Sequence, residues 1–158
     1  MSISNRKVVI VGAGHVGSHV GYALISQSLA DEIVYIDFDH AKAVAQAFDL
    51  TDATNYLPVR TKVTAGDYSD AKDAQIMIIS AGPLPTGNQT RMDTLGQTIA
   101  ILKDITKSIK ESGFDGIIVN ISNPADVITH YILHTLNWAP ERIFSTSTTL
   151  DSARLRRA

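Results

Sequence analysis

Apolar runs alternate with helically periodic stretches along nearly the whole chain. The first run, Val8 to Val11, is unbroken and β-branched, the composition of a strand buried on both faces. A helix is predicted from about Val16 to Gln27, then a short strand, Ile33 to Ile36, ending at Asp37. Alanine-rich Ala41 to Leu50 reads as a second helix, with Ala41, Val44, Ala45 and Phe48 on one stripe at spacings of three and four. Thr61 to Thr64 alternates as a weaker strand, and Ile76 to Ile79 forms the next, closed by Ala81-Gly82. Two prolines and a glycine make Pro83 to Asn88 a loop. Thr90 with Asp93 resembles a capping box for a helix running to about Lys110, whose buried stripe is Leu95, Ile99, Leu102, Ile105 and Ile109. Gly113 stops it. A fifth strand is expected from Ile117 to Asn123, and Pro124 suits the first turn of a helix with Ile128, Ile132 and Leu136 facing inward. Arg142 to Phe144 is the sixth strand, and the chain is helical again from Leu150.

Strands and helices in this alternation predict an α/β domain over residues 1–158: a doubly wound, six-stranded parallel sheet of the Rossmann type, with neither repeats nor a linker. Composition adds exclusions. The 158 residues are about one domain's worth. A formal net charge of −2 marks neither a nucleic-acid binder nor a ligand of anionic membranes. The absence of cysteine excludes disulfides, thiolate zinc sites and cysteine nucleophiles, and fits a reducing cytoplasm. Arg6-Lys7 before Val8–Val11 fails as a signal peptide because Gly12, Gly14 and His15 break the apolar run. No stretch approaches the ~18 apolar residues that span a membrane.

The sharpest local signal is Gly12-Ala13-Gly14-His15-Val16-Gly17, a Gly-x-Gly-x-x-Gly placed directly after a buried strand and opening a helix. Gly12 permits the tight turn, Gly14 the approach of a pyrophosphate, and Gly17 close packing of helix on strand. The helix N-terminus adds N–H donors and a positive dipole. Asp37, twenty residues beyond Gly17, is placed to bind the ribose hydroxyls, and its charge would repel a 2′-phosphate. Together these point to NAD rather than NADP. Ligands of such sheets lie beyond the carboxyl ends of the strands, where Ala81, Gly82 and Asn123 also fall. Asn123 can both donate and accept a hydrogen bond, or serve merely as an Asn-Pro turn.

Val8 to Gly17, Asp37, Ser80-Ala81-Gly82, Thr90-Arg91, Ser122-Asn123-Pro124 and Leu150-Asp151-Ser152-Ala153-Arg154, in this order, resemble the L-lactate/malate dehydrogenase family. Glu111 to Phe114 and Leu150 to Ala158 are most similar to its L-2-hydroxyisocaproate dehydrogenases. The resemblance implies an NAD-dependent hydride transfer on a small 2-hydroxy or 2-oxo acid, in an enzyme that is a homo-oligomer when intact. It makes Arg91 the loop cation that polarises the reacting carbonyl, a role suited to charge developing on that oxygen. It makes Asn123 a ligand of substrate and nicotinamide, Arg154 the fork that holds the substrate carboxylate, and Asp151 the acid that orients a catalytic histidine. His15, which follows Gly14 at the phosphate turn, is a further candidate cofactor contact, as are Val16 and Ile121.

Four departures qualify these implications. The specificity position, glutamine in lactate enzymes and arginine in malate enzymes, is Pro85, which can neither donate a hydrogen bond nor pair a second carboxylate. The surrounding loop suits a branched or longer aliphatic side chain. Ser145 and Ser147 stand where the family usually has glycine. The family's catalytic histidine belongs to a second half of similar size, and none of the five histidines here takes its place. His15 with His19, and His130 with His134, have i, i+4 spacing but no third ligand, so no metal site is expected. The alternative to an enzyme is an NAD-binding module without turnover.

Overall fold

Side chains on both faces of the strands are apolar, so the sheet must be covered twice. The computed structural model describes residues 5–83, 86–88, 90 and 92–158. Among them, strands β1 (Lys7–Val11), β2 (Glu32–Ile36), β3 (Lys62–Ala65), β4 (Ile76–Ile79), β5 (Ile117–Asn120) and β6 (Ile143–Ser145) form one sheet. Helices α1 (His15–Ser26), α2 (His40–Thr54), α3 (Leu95–Ser112), α4 (Ala125–Leu136) and α5 (Thr149–Arg157) connect or follow them. All neighbours pair in parallel in the order β3-β2-β1-β4-β5-β6, which reverses direction between β1 and β4. This is the doubly wound Rossmann arrangement expected from the sequence.

The strand alternation divides the core in two. Val9, Val11, Met77, Ile79 and Ile118 pack with Leu102 and Ile105 of α3 and with Ile128 and Ile132 of α4. Val8, Ile10, Ile33, Tyr35 and Ile78 face the other way, onto Ile25 of α1 and Ala43, Ala47 and Leu50 of α2. One buried hydroxyl crosses this second layer: Tyr35 Oη donates to Gly17 O at 3.1 Å. Gly21 leaves the room it needs, because a Cβ there would collide with that oxygen.

Four local expectations are corrected. The inward face of α2 is Ala43, Ala47 and Leu50, not the stripe through Ala41, Val44, Ala45 and Phe48; small alanines let the helix lie close to the sheet, and Phe48 is 69% exposed. α3 begins at Leu95, because Asp93 accepts from Thr90 N (2.6 Å) and Thr90 Oγ1 (2.8 Å) and so closes a separate turn ahead of the helix. Leu95 and Ile99 are only half-buried, while Thr98 and Thr106 complete the inner face with hydroxyls bonded to Thr94 O and Leu102 O. β5 ends at Asn120, three residues early, where that side chain turns from ladder to loop bonding. A 3₁₀ turn at Tyr68–Ala71, boxed by Asp67 and Asp70, was not anticipated.

Two contacts fasten the amino end of the sheet. Trp138 lies 6.0 Å from Phe114 and under the Arg142 guanidinium at 4.2 Å, while Arg142 also donates to Gly116 O. Arg6 grips Asp31 with Nη2 to Oδ1 at 2.6 Å and Nε to Oδ2 at 3.0 Å. These bonds, with a further one from Arg6 N, lower the Asp31 carboxyl from 3.8 to about 2. A depressed carboxyl contributes stability above its unfolded value and loses it as pH falls through its folded one. Asp31→Asn should therefore melt lower than the wild type at pH 6, with the difference closing between pH 4 and 2. Thermal melts across that range check this, and identical melting points at pH 6 would contradict it.

Candidate cofactor site

At the reversal point the sheet's ladder runs one residue past the strands. Gly12 N donates to Ile36 O, Ser80 N to Val11 O and Ile121 N to Ile79 O, all within 2.8–2.9 Å. The chain then turns away on both sides and leaves a cleft of about 530 Å³ over the strand ends. Gly12, Gly14, Asp37, Ala81 and Gly82 all line it.

The three fingerprint glycines serve different ends. Gly12 has φ +106°, and a Cβ there would lie 2.7 Å from Ser80 O. A Cβ on Gly17 would overlap the Gly12 carbonyl oxygen and press on Ile10 Cγ2, so its absence lets α1 sit directly on the end of β1. Gly14 differs. Only Lys42 Nζ, at 3.8 Å, comes near its Cβ position, so open space lies before the helix N-terminus. That emptiness beside N–H donors and a cation suits a diphosphate.

Asp37 ties this turn to β2. Its Oδ2 accepts from Ala13 N at 2.7 Å and its Oδ1 from Asp39 N at 3.0 Å. Each carboxylate oxygen retains a second lone pair for a ligand hydroxyl. Asp39 caps α2 by accepting from Lys42 N at 3.3 Å, and the Lys42 side chain from that first turn lines the cleft. Lys42 was missed in the sequence, where its one signal is a cation on the first turn after the acid-ended strand.

Other expected residues stand outside the cleft lining. His15 and Val16 are exposed at the start of α1, with the His19 ring against His15 O. Ile121 is half-buried and packs on the α1–α2 core layer. Asn123 is exposed on the loop after β5. Two buried polar residues build that loop. Asn120 donates to Ala125 O and Thr129 Oγ1, each at 3.1 Å, and accepts from Ser122 N at 3.0 Å. Ser122 Oγ donates to Ala81 O at 2.7 Å, which binds the β5 loop to the β4 loop. Polar residues inside Ile117–Ser122 were the signal for this network, since buried polar atoms require partners.

Asp151 and Arg154 lie on α5, which buries no residue, and they pair with each other at 3.1 Å. Ser145 closes β6 as extended chain. Ser147 takes φ +34°, the backbone a glycine would favour, and is held there by Oγ donating to Asp126 Oδ1 at 2.9 Å. The expected loop cation Arg91 and the specificity position Pro85 lie outside the described residues. The His130 and His134 rings meet edge-on at 4.2 Å, and among the described residues no three His, Asp or Glu side chains gather as a metal group.

Strand order, glycine cradle and a strand-end acid define a dinucleotide-binding domain. The sequence matches the family described as lactate/malate dehydrogenase, NAD binding domain, over residues 6–145, and the chain belongs to that family. NAD is the cofactor of that domain, and the cradle at Gly14 fits its diphosphate. L-lactate dehydrogenase 3 of Bacillus cereus is 43% identical over 156 residues, covering 99% of this chain and 49% of that protein. A lactate dehydrogenase from a Medee basin deep-sea metagenome library superposes with a TM-score of 0.91 at 37% identity, over 98% of this chain and 49% of that one. The malate dehydrogenase of Archaeoglobus fulgidus in complex with NADH gives 0.90 at 32% identity, over 96% and 52%. The chain thus spans about half the length of the relatives it matches.

The contrast between two glycines is testable. Gly17→Ala forces a methyl into backbone and should cost about 1–3 kcal/mol of stability together with NADH binding. Gly14→Ala should leave the melting temperature unchanged while weakening NADH about tenfold, a loss of about 1.4 kcal/mol. Paired melts and fluorescence titrations separate the two, and wild-type affinity in Gly14→Ala would contradict a diphosphate at that turn.

Proposed function

We propose that residues 1–158 are the cofactor-binding domain of an NAD-dependent L-2-hydroxy acid dehydrogenase acting on a branched or longer aliphatic substrate. The observation that carries this reading is the convergence of Gly14, Asp37 and Lys42 on one cleft at the strand reversal. When bound, NAD supplies the site that takes up or returns a hydride. Asp37 would accept from both ribose hydroxyls and disfavour a 2′-phosphate. Lys42 and the α1 N-terminus would offset the diphosphate charge.

The substrate side rests on the family. Asn123, presented by the Asn120–Ser122 network, would hydrogen-bond substrate close to the nicotinamide end. Arg91 would bring a cation to the oxygen on which charge develops. Arg154 would hold the substrate carboxylate, and Asp151 would orient a histidine carried by a second half, as the doubled length of the relatives supports. In this reading the intact enzyme is a homo-oligomer. Relatives named L-lactate dehydrogenases support a small 2-hydroxy acid. Pro85, with neither donor nor charge, favours an aliphatic side chain over a second carboxylate.

Cofactor choice is tested by Asp37→Ser, which should narrow the advantage of NADH over NADPH by about 1–3 kcal/mol through loss of a charge-assisted bond. Equal or tighter NADH affinity in the variant, by fluorescence titration, would show that the ribose is held elsewhere. Substrate choice is tested by fusing the chain to a relative's second half and comparing 2-oxoisocaproate, pyruvate and oxaloacetate in steady state. Each well-buried methylene adds about 0.8 kcal/mol, so 2-oxoisocaproate should lead, and a clear preference for oxaloacetate would defeat the assignment. Without that half, the chain should bind NADH with little turnover, because general acid–base help of about 10²–10⁴-fold is missing.

A further inference from the structure

We propose that Asp104 reads the base of the cofactor, accepting a hydrogen bond from the exocyclic amine of adenine and rejecting purines with a 6-oxo group. This assignment rests on the cleft's holding NAD. Beyond Asp37 the cleft continues between Ile36 and Phe38 on one side and α3 on the other. From α3 it takes Ile101, Asp104, Ile105 and Ser108, whose spacing of three, four and seven puts them on one helical stripe. Two isoleucines on that stripe suit the faces of a flat base. Asp104 interrupts them with a carboxylate that has no hydrogen-bond or ion-pair partner among the described residues.

Tyr68 links this group to the ribose end. It stands in the cleft on the 3₁₀ turn that packs against α3, and its phenol is pushed above the ordinary value by burial, then by the charges of Asp104 and Asp37. Tyr68 and the two acids line one cleft, and in this assignment Asp37 meets the sugar and Asp104 the base. An ionised carboxylate only accepts hydrogen bonds. Adenine offers an N–H donor at its 6-position, whereas hypoxanthine offers a carbonyl oxygen that the carboxylate would repel.

The test pairs a substitution with a change in the ligand. NADH and its hypoxanthine analogue (deamino-NADH) share the reduced nicotinamide, so fluorescence titration measures both on the full chain. The wild type should favour NADH by about three- to tenfold, the range of one partly solvated charge-assisted bond. Asp104→Asn, whose amide can donate to a 6-oxo group, should bring the ratio to one or below, and Asp104→Ala should bring it near one. Asp104 is exposed, so both variants should fold, and circular dichroism checks this. Binding of both nucleotides with a ratio unchanged by either variant would overturn the role of Asp104 alone. Failure of the wild-type chain to bind either nucleotide would overturn the cofactor reading and this assignment with it.

Discussion

The start of α1 rests directly on the first carbonyl of the turn after β1, that of Gly12, and the site depends on that approach. Only a missing side chain at Gly17 allows it, because any Cβ there would occupy the place of the Gly12 oxygen. The helix N-terminus is thereby brought over the strand ends, where its unpaired N–H groups open onto the cleft. Tyr35 reinforces the same junction by donating to the Gly17 carbonyl from the neighbouring strand. One contact at van der Waals limits therefore fixes where the helix N-terminus meets the cleft.

The β4 loop, which lines the cleft through Ala81 and Gly82, is braced from behind by hydrogen bonds instead of close packing. Asn120 is fully buried and makes bonds to both sides of the β5–α4 turn, and Ser122 reaches across to the β4 loop. Such a network holds its shape because a broken bond would leave a buried polar atom unpaired, at about 1–3 kcal/mol. The glycine turn is thus set by sterics and the β4 loop beside it is braced by polar satisfaction. Asp37 joins the cradle to β2 through a single carboxylate, which lines the cleft.

Much of this was legible in the residues. Short apolar runs, most of them unbroken, gave six strands, and Gly12 to Gly17 with Asp37 gave the cofactor class, because each requirement is local to a few positions. What escaped depended on distant partners. Phe48 fits a helical stripe, but the tight seat of Ala43 and Ala47 on the sheet decides which side faces inward. Lys42 is an ordinary surface lysine until the fold sets its ammonium beside Gly14. Ser147 looked like a departure from glycine, yet Asp126, far away in sequence, supplies the bond that holds the unusual backbone. Asp151 and Arg154 were placed on a helix correctly, but their exposure on α5 has no signature in a nine-residue segment.

The clamp of Trp138 between Phe114 and Arg142 has an optical consequence. It is the chain's one tryptophan, and it sits where β5 and β6 begin, at the opposite edge of the sheet from the cleft. A strand of four or five residues separates those edges by about 15 Å. Indole emission therefore reports the integrity of the sheet from a point that a nucleotide over the strand ends does not touch. Bound reduced nicotinamide would reach it only through space, by energy transfer. The molecule thus offers two distinguishable signals from a single indole, its own emission for unfolding and energy transfer to a reduced nicotinamide for occupancy.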